Sequence, residues 1–175
     1  MKRSTKLIGL ASVALALAIG AQQVRAASVN VDASATIVAP LGIAEIQPLN
    51  FGAFAQSDSV FSVTVDANGG PLTLLNIEGH FGNDQPALVD ITGPETGSIA
   101  MTFVTGTLAE PGGFTLQLSD ITCSFDGGPT QAPGSCVAFL DGAPNVMSLG
   151  GKVSSTTGGI NGVYTGVIEV TANGN

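Results

Sequence analysis

From Val29 to Ile37 the apolar side chains of Val29, Val31, Ala33, Ala35 and Ile37 alternate with polar Asn30, Asp32, Ser34 and Thr36. Period two is the pattern of a strand with one buried face. Pro40 ends it, because proline has no N–H to give to a sheet ladder. A second apolar run, Leu41 to Ile46, leads through Pro48 into Leu49-Asn50-Phe51-Gly52. The destination of that first strand's buried face matters most for function. It either completes the chain's own sheet or is offered to a neighbour.

The alternation recurs downstream. Phe61, Val63 and Val65 alternate with Ser62 and Thr64, and Asp66-Ala67-Asn68-Gly69-Gly70 follows as a hairpin turn, since Asn-Gly accepts positive φ. Leu72 and Leu74, then Leu75 and Ile77, slip by one residue, which marks a bulge or a strand end. Gly79 to Pro86 reads as a polar loop and Ala87 to Thr92 as a short strand closed by Gly93-Pro94. Ile99, Met101 and Phe103 alternate next, then Phe114, Leu116 and Leu118 after the turn at Glu110-Pro111-Gly112-Gly113. Val137 to Leu140, Val146 to Val153 and Val163 to Thr171 complete the series, the last with Tyr164, Ile168 and Val170 on one face. No window past the N-terminal stretch favours a helix, and the turn spacing suits an all-β antiparallel sandwich.

That N-terminal stretch stands apart. Lys2, Arg3 and Lys6 precede an uncharged, mostly apolar run from Leu7 to Ala21, and Val24-Arg25-Ala26 has the small residues of a cleavage site. Residues 1–26 read as a secretory signal peptide cut after Ala26, leaving 27–175 as one sandwich domain. The apolar run is short for a bilayer span, so no stable membrane insertion is expected. Export places the protein in the periplasm, at the cell surface or outside the cell. Cleavage removes four of the five basic residues and none of the thirteen acids, leaving Lys152 as the sole cation and a net charge of −12. Such a surface repels phosphate backbones, so nucleic acid is excluded as a partner. Val, Ile, Leu, Thr, Phe, Gly and Pro dominate, a composition of short strands and tight turns and too apolar for disorder.

Candidate chemistry is sparse. Cys123 and Cys136 are the only cysteines, an even count in an exported chain, and read as a disulfide pinning the Gly/Pro-rich excursion between them. His80, with Glu78 and Asp84 near it, is alone, whereas zinc takes several N or S ligands; an exposed loop histidine is the plainer reading. Asp66 to Gly70 has the start of a calcium loop, but its twelfth position is Ile77, where a bidentate Glu belongs. No Gly-x-Ser-x-Gly elbow occurs. Lys152 beside Ser154 and Ser155 reads as a solvated lysine in a Gly/Ser/Thr-rich loop, and the Phe residues (Phe61, Phe103, Phe114) sit at core positions. No catalytic, cofactor-binding or metal site is expected, and the protein is not read as an enzyme.

Three pieces carry a family resemblance: Ala35-Thr36-Ile37-Val38-Ala39-Pro40-Leu41, Leu49-Asn50-Phe51-Gly52, and Gly162-Val163-Tyr164-Thr165-Gly166-Val167-Ile168-Glu169-Val170-Thr171. In order and spacing they resemble the bacterial secreted family catalogued as domain of unknown function 4402, with Phe51, Gly52, Tyr164 and Gly166 as its motif positions. The Phe-Gly pair and the Tyr-containing last strand also resemble spore-coat-U-like and chaperone–usher pilin domains, which are immunoglobulin-like sandwiches. This chain departs from many pilins in placing its cysteine pair late. The resemblance implies a structural, pilin-like subunit of a surface or secreted assembly. Residues 27–39 would be the donor strand added to the next copy, with a periplasmic chaperone and usher as further partners. The alternative is a self-contained sandwich acting as an adhesin or ligand-binding module through its loops.

Overall fold

The computed structural model describes residues 32–35, 37, 40–58, 60–94, 97–134, 136–141 and 145–174. The chain divides into two units, Met1–Thr36 and Ile37–Asn175. Of the first, Asp32 to Ala35 are exposed and belong to no strand. The second is all-β and antiparallel.

Its longest sheet is built on β13 (Asn145–Ser155). One edge of β13 pairs along its length with β11 (Thr115–Phe125). The other edge is shared: residues 145–149 take β8 (Ala87–Thr92), and residues 151–155 take β4 (Phe61–Val65). Gly150 stands at the changeover, where a Cβ would run into the backbone of Val65, Asp66 and Ala67. A backbone atom cannot swing aside as a side chain can, so glycine is required there. β1 (Gly42–Gln47) extends the sheet beyond β8, β10 (Thr107–Ala109) beyond β11, and β5 (Thr73–Leu75) beyond β4. A three-stranded sheet has β9 (Gly97–Thr105) in the middle, flanked by β12 (Cys136–Leu140) and β14 (Ile168–Gly174). Two short ladders pair β2 (Asn50–Phe51) with β7 (Asp84–Gln85) and β3 (Phe54–Gln56) with β6 (Ile77–His80).

The period-two readings account for the core. Phe61, Val63 and Val65 of β4, Ala87, Val89 and Ile91 of β8, and Met147, Leu149 and Val153 of β13 join one buried cluster with Ile99 and Met101 of β9 and Cys136, Ala138 and Leu140 of β12. Both larger sheets therefore contribute to a single core. β11 shows how a strand changes face without ending. Leu116 and Leu118 are buried, then Ile121 and Cys123, and the parity flips where the register with β13 shifts between Ser119 and Thr122. Asp120 takes the extra step at φ 52°, a left-handed conformation that Asp tolerates better than most residues. The slip read at Leu74–Leu75 is likewise a strand end: β5 stops at Leu75, Asn76 sits at φ 54°, and β6 begins at Ile77.

Cys123 and Cys136 form the expected disulfide, with Cα atoms 6.1 Å apart. It ties β11 of the large sheet to β12 of the small one, both half-cystines fully buried in the core.

Several sequence readings need correction. Val163 to Val167 belong to no ladder beyond a single bridge from Thr165 to Ala109, and the last strand runs from Ile168 to Gly174 instead. Gly162 and Gly166, which pack against Glu110 and Leu108, carry this stretch as a hook onto β10 before the chain enters the small sheet. Phe114 is 46% exposed, because it precedes β11 at the mouth of the Glu110 turn. Lys152 lies on β13, not in a loop, and meets Asp120 at 3.6 Å, an exposed pair of little energetic weight. The region 79–86 is not an open loop, since β6 and β7 occupy much of it.

Closing a loop of this size by a disulfide stabilises by about 3 kcal/mol. The Cys123→Ala/Cys136→Ala double variant, or the reduced protein, is therefore expected to lose about 3 kcal/mol in a urea unfolding titration. An unchanged midpoint would show that the tie between the sheets is dispensable.

Candidate functional site

The second unit holds a cleft of about 1010 Å³. One wall is β1, an edge strand of the large sheet (Ile43, Ala44, Glu45), and another is β14, an edge strand of the small one (Ile168, Val170). Core side chains of β4, β8, β11 and β13, among them Phe61, Val89, Leu116 and Val153, line its depth. Its remaining boundary comes from the 159–167 hook and from residues 48–56. Aliphatic side chains stand at its rim in water: Ile43 is 41% exposed, Ile160 43%, Val163 77% and Val167 82%. Aliphatic side chains thus stand in water beside a groove lined largely by apolar residues.

The motif residues frame this cleft. Phe51 is buried and packs into the core, and its carbonyl accepts the Nε2 proton of His80 at 3.1 Å. That bond requires a hydrogen on Nε2, because a carbonyl can only accept. The histidine read as an exposed loop residue is thus a half-buried clamp at the end of β6, with Asp84 at 3.8 Å. Gly52 follows Phe51 at φ 74°, and a Cβ there would lie 2.6 Å from His80 Nε2 and 2.5 Å from Gly82 O. Conformation and space both demand glycine at this position. Gly166 is constrained by space alone, its Cβ position 2.7 Å from Thr107 O.

Tyr164 fastens the other side. Its hydroxyl donates to Ile160 O and accepts from Ile160 N, both at 3.0 Å, so the hook closes on itself across four residues. Gln56 adds a link, donating from Nε2 to Gly159 O at 2.8 Å. Its Oε1 is buried with no hydrogen-bond partner, which costs about 1–3 kcal/mol while it lasts. Nothing in the sequence singled out Gln56. Its role depends on a partner 103 positions away.

Of the five alternating residues near the N-terminus, Val29 and Val31 lie outside the described residues. Ala33, Ala35 and Ile37 are exposed and in no strand, and Ile37 is 98% exposed. The pattern of a half-buried strand therefore has no paired partner among the described residues. Elsewhere, Asp66 serves turn geometry. Its Oδ1 accepts from Asn68 N at 2.7 Å, and its carbonyl accepts from Gly69 N at 3.0 Å. Among the described residues no three His, Cys, Asp or Glu side chains are grouped to hold a metal ion. Nor is any helix there long and apolar enough to cross a membrane, a statement that concerns helices alone.

These features define an antiparallel all-β protein with one disulfide between its two larger sheets and an apolar cleft between two strand edges. Residues 41–173 match the family described as domain of unknown function 4402, and the chain belongs to that family. No curated protein matches it, and no solved structure does.

Removing the Tyr164 hydroxyl deletes both of its hydrogen bonds to Ile160, so Tyr164→Phe is expected to lower stability by about 1–2 kcal/mol. Gly52→Ala combines a strained φ with a backbone clash and is expected to cost about 1–3 kcal/mol. Urea titration of both variants beside the parent measures these losses, and two unchanged midpoints would show that the domain does not depend on this frame.

Proposed function

We propose that the protein is an exported, non-enzymatic structural subunit of pilin-like type. Its residues 27–39 add as a strand to the cleft of the next copy. The observation that carries this reading is the cleft itself, an apolar groove with aliphatic side chains exposed at its rim, between the edge strands β1 and β14. An edge strand offers unpaired N–H and C=O groups to an incoming chain. Strand addition satisfies them, while alternate side chains fill the groove and set the register.

The donor is matched to the acceptor. Val29 to Ile37 presents five apolar side chains on one face and spans about 30 Å when extended. Its only charge is Asp32, so it enters a negatively charged molecule with little repulsion. Ile37, at the end of this segment, and Pro40 beyond it are both exposed. Head-to-tail contact of this kind propagates as an open filament. The Tyr164–Ile160 bonds, just before the last strand, have the form of a tyrosine corner and support an immunoglobulin-like sandwich. Until a donor arrives, the exposed cleft requires a temporary cover, the part a periplasmic chaperone and usher would play. A leader at residues 1–26 and delivery to the cell surface complete this reading.

The test is an unboiled denaturing gel of the exported protein beside a variant lacking residues 27–39. A ladder of multiples that collapses on boiling and is missing from the deletion is the expected result. A single monomer band from the full mature chain, refolding reversibly without a partner, would overturn it. That outcome would leave a closed domain acting through its loops as an adhesin or ligand-binding module.

A further inference from the structure

The small sheet has a second edge, and it is treated differently. β12 pairs with β9 on one side only, through Cys136 to Leu140 against Met101 to Gly97. In an antiparallel pair, alternate residues turn their N–H and C=O toward the partner and the others turn away. Val137 is one that turns away, and a side chain meets it there. Gln131 Nε2 donates to Val137 O at 2.9 Å, and Val137 N donates to Gln131 Oε1 at 2.9 Å. One primary amide thus reproduces both hydrogen bonds that a residue of an added strand would make.

Gln131 is itself held in place. Its backbone N donates to Cys123 O at 2.7 Å, in an isolated bridge to β11. Its main chain is therefore bonded to one half-cystine and its side chain to the neighbour of the other, alongside the disulfide. The edge it covers is otherwise attractive to a strand: Val137 is 42% exposed and Phe139 81%.

We infer that Gln131 is a strand-mimicking plug that closes the β12 edge to a second copy of this chain, so that strand addition is confined to the cleft beside β1 and β14. The consequence for filament form rests on the strand-addition reading above, whereas the plug does not. Unplugged, β12 becomes a second acceptor, and growth at two edges yields lateral association in place of a single line.

The experiment uses the full mature chain carrying Val31→Glu and Ala35→Glu, which removes the donor's apolar face and silences cleft assembly. Light scattering after size exclusion, over a concentration series, is expected to show a monomer at all concentrations. Adding Gln131→Ala should make the apparent mass rise with concentration and speed hydrogen exchange at the Val137 amide. Adding Val137→Pro to that variant should restore the monomer, because proline has no N–H to offer and blocks the edge. Gln131→Asn, whose amide is one methylene too short to reach, gives the same comparison if the alanine variant folds poorly by circular dichroism. A folded Gln131→Ala protein that stays monomeric overturns the inference, as does association that persists with Val137→Pro. Multiples that survive Val31→Glu/Ala35→Glu alone count against donor-strand assembly instead, and the rise on adding Gln131→Ala is then read above that baseline.

Discussion

The strands of the large sheet are organised around the hydrogen-bond ladders on the two edges of β13. A strand satisfies its backbone only when both edges are paired, and β13 achieves this with three partners: β11 on one side, β8 and then β4 on the other. The changeover at Gly150 needs a residue without a side chain, and the reversal of face in β11 at Asp120 happens opposite the same stretch. From that spine the disulfide reaches across to β12, so the small sheet is anchored to the strand next to the centre.

A sheet built outward from a saturated centre must end in edges, and the edges differ in how they are treated. At β12 a glutamine amide occupies the outward-facing groups of Val137. At β1 and β14 the intervening space is an apolar cleft bordered by exposed valines and isoleucines. The Phe51-Gly52 and Tyr164 motifs make sense in this setting. They hold the segments on either side of the cleft open in a defined shape, through His80 on one side and Ile160 on the other. The motif residues thus serve as a frame, and the chemistry offered is that of a β-edge and a groove.

Much of the fold was legible because period two survives in strands with one buried face. Phe61–Val65 and Ala87–Thr92 are strands with the bounds the alternation implies, and the turn signals at Asp66–Gly70 and Glu110–Gly113 mark real reversals. Where legibility failed, a distant contact was decisive. Val163–Val167 is as β-prone as any segment, but its backbone hooks onto β10 and makes only one bridge. β10 itself is three residues long and has no periodicity to detect. His80 lay in a polar stretch and gave no sign that the carbonyl of Phe51, 29 positions earlier, would accept its hydrogen bond.

By itself the sequence determined the antiparallel all-β class, the pairing of its only two cysteines and most strand positions. These are local properties, written in alternation, turn residues and composition. Only the tertiary structure decided that the disulfide joins two different sheets, that Gly52 and Gly166 are spacing requirements, that Gln131 caps an edge, and that β1 and β14 leave a groove between them. Each of these depends on which strands become neighbours. Strand order is chosen by the free energy of burying all the apolar faces together, and no window of the sequence contains that sum.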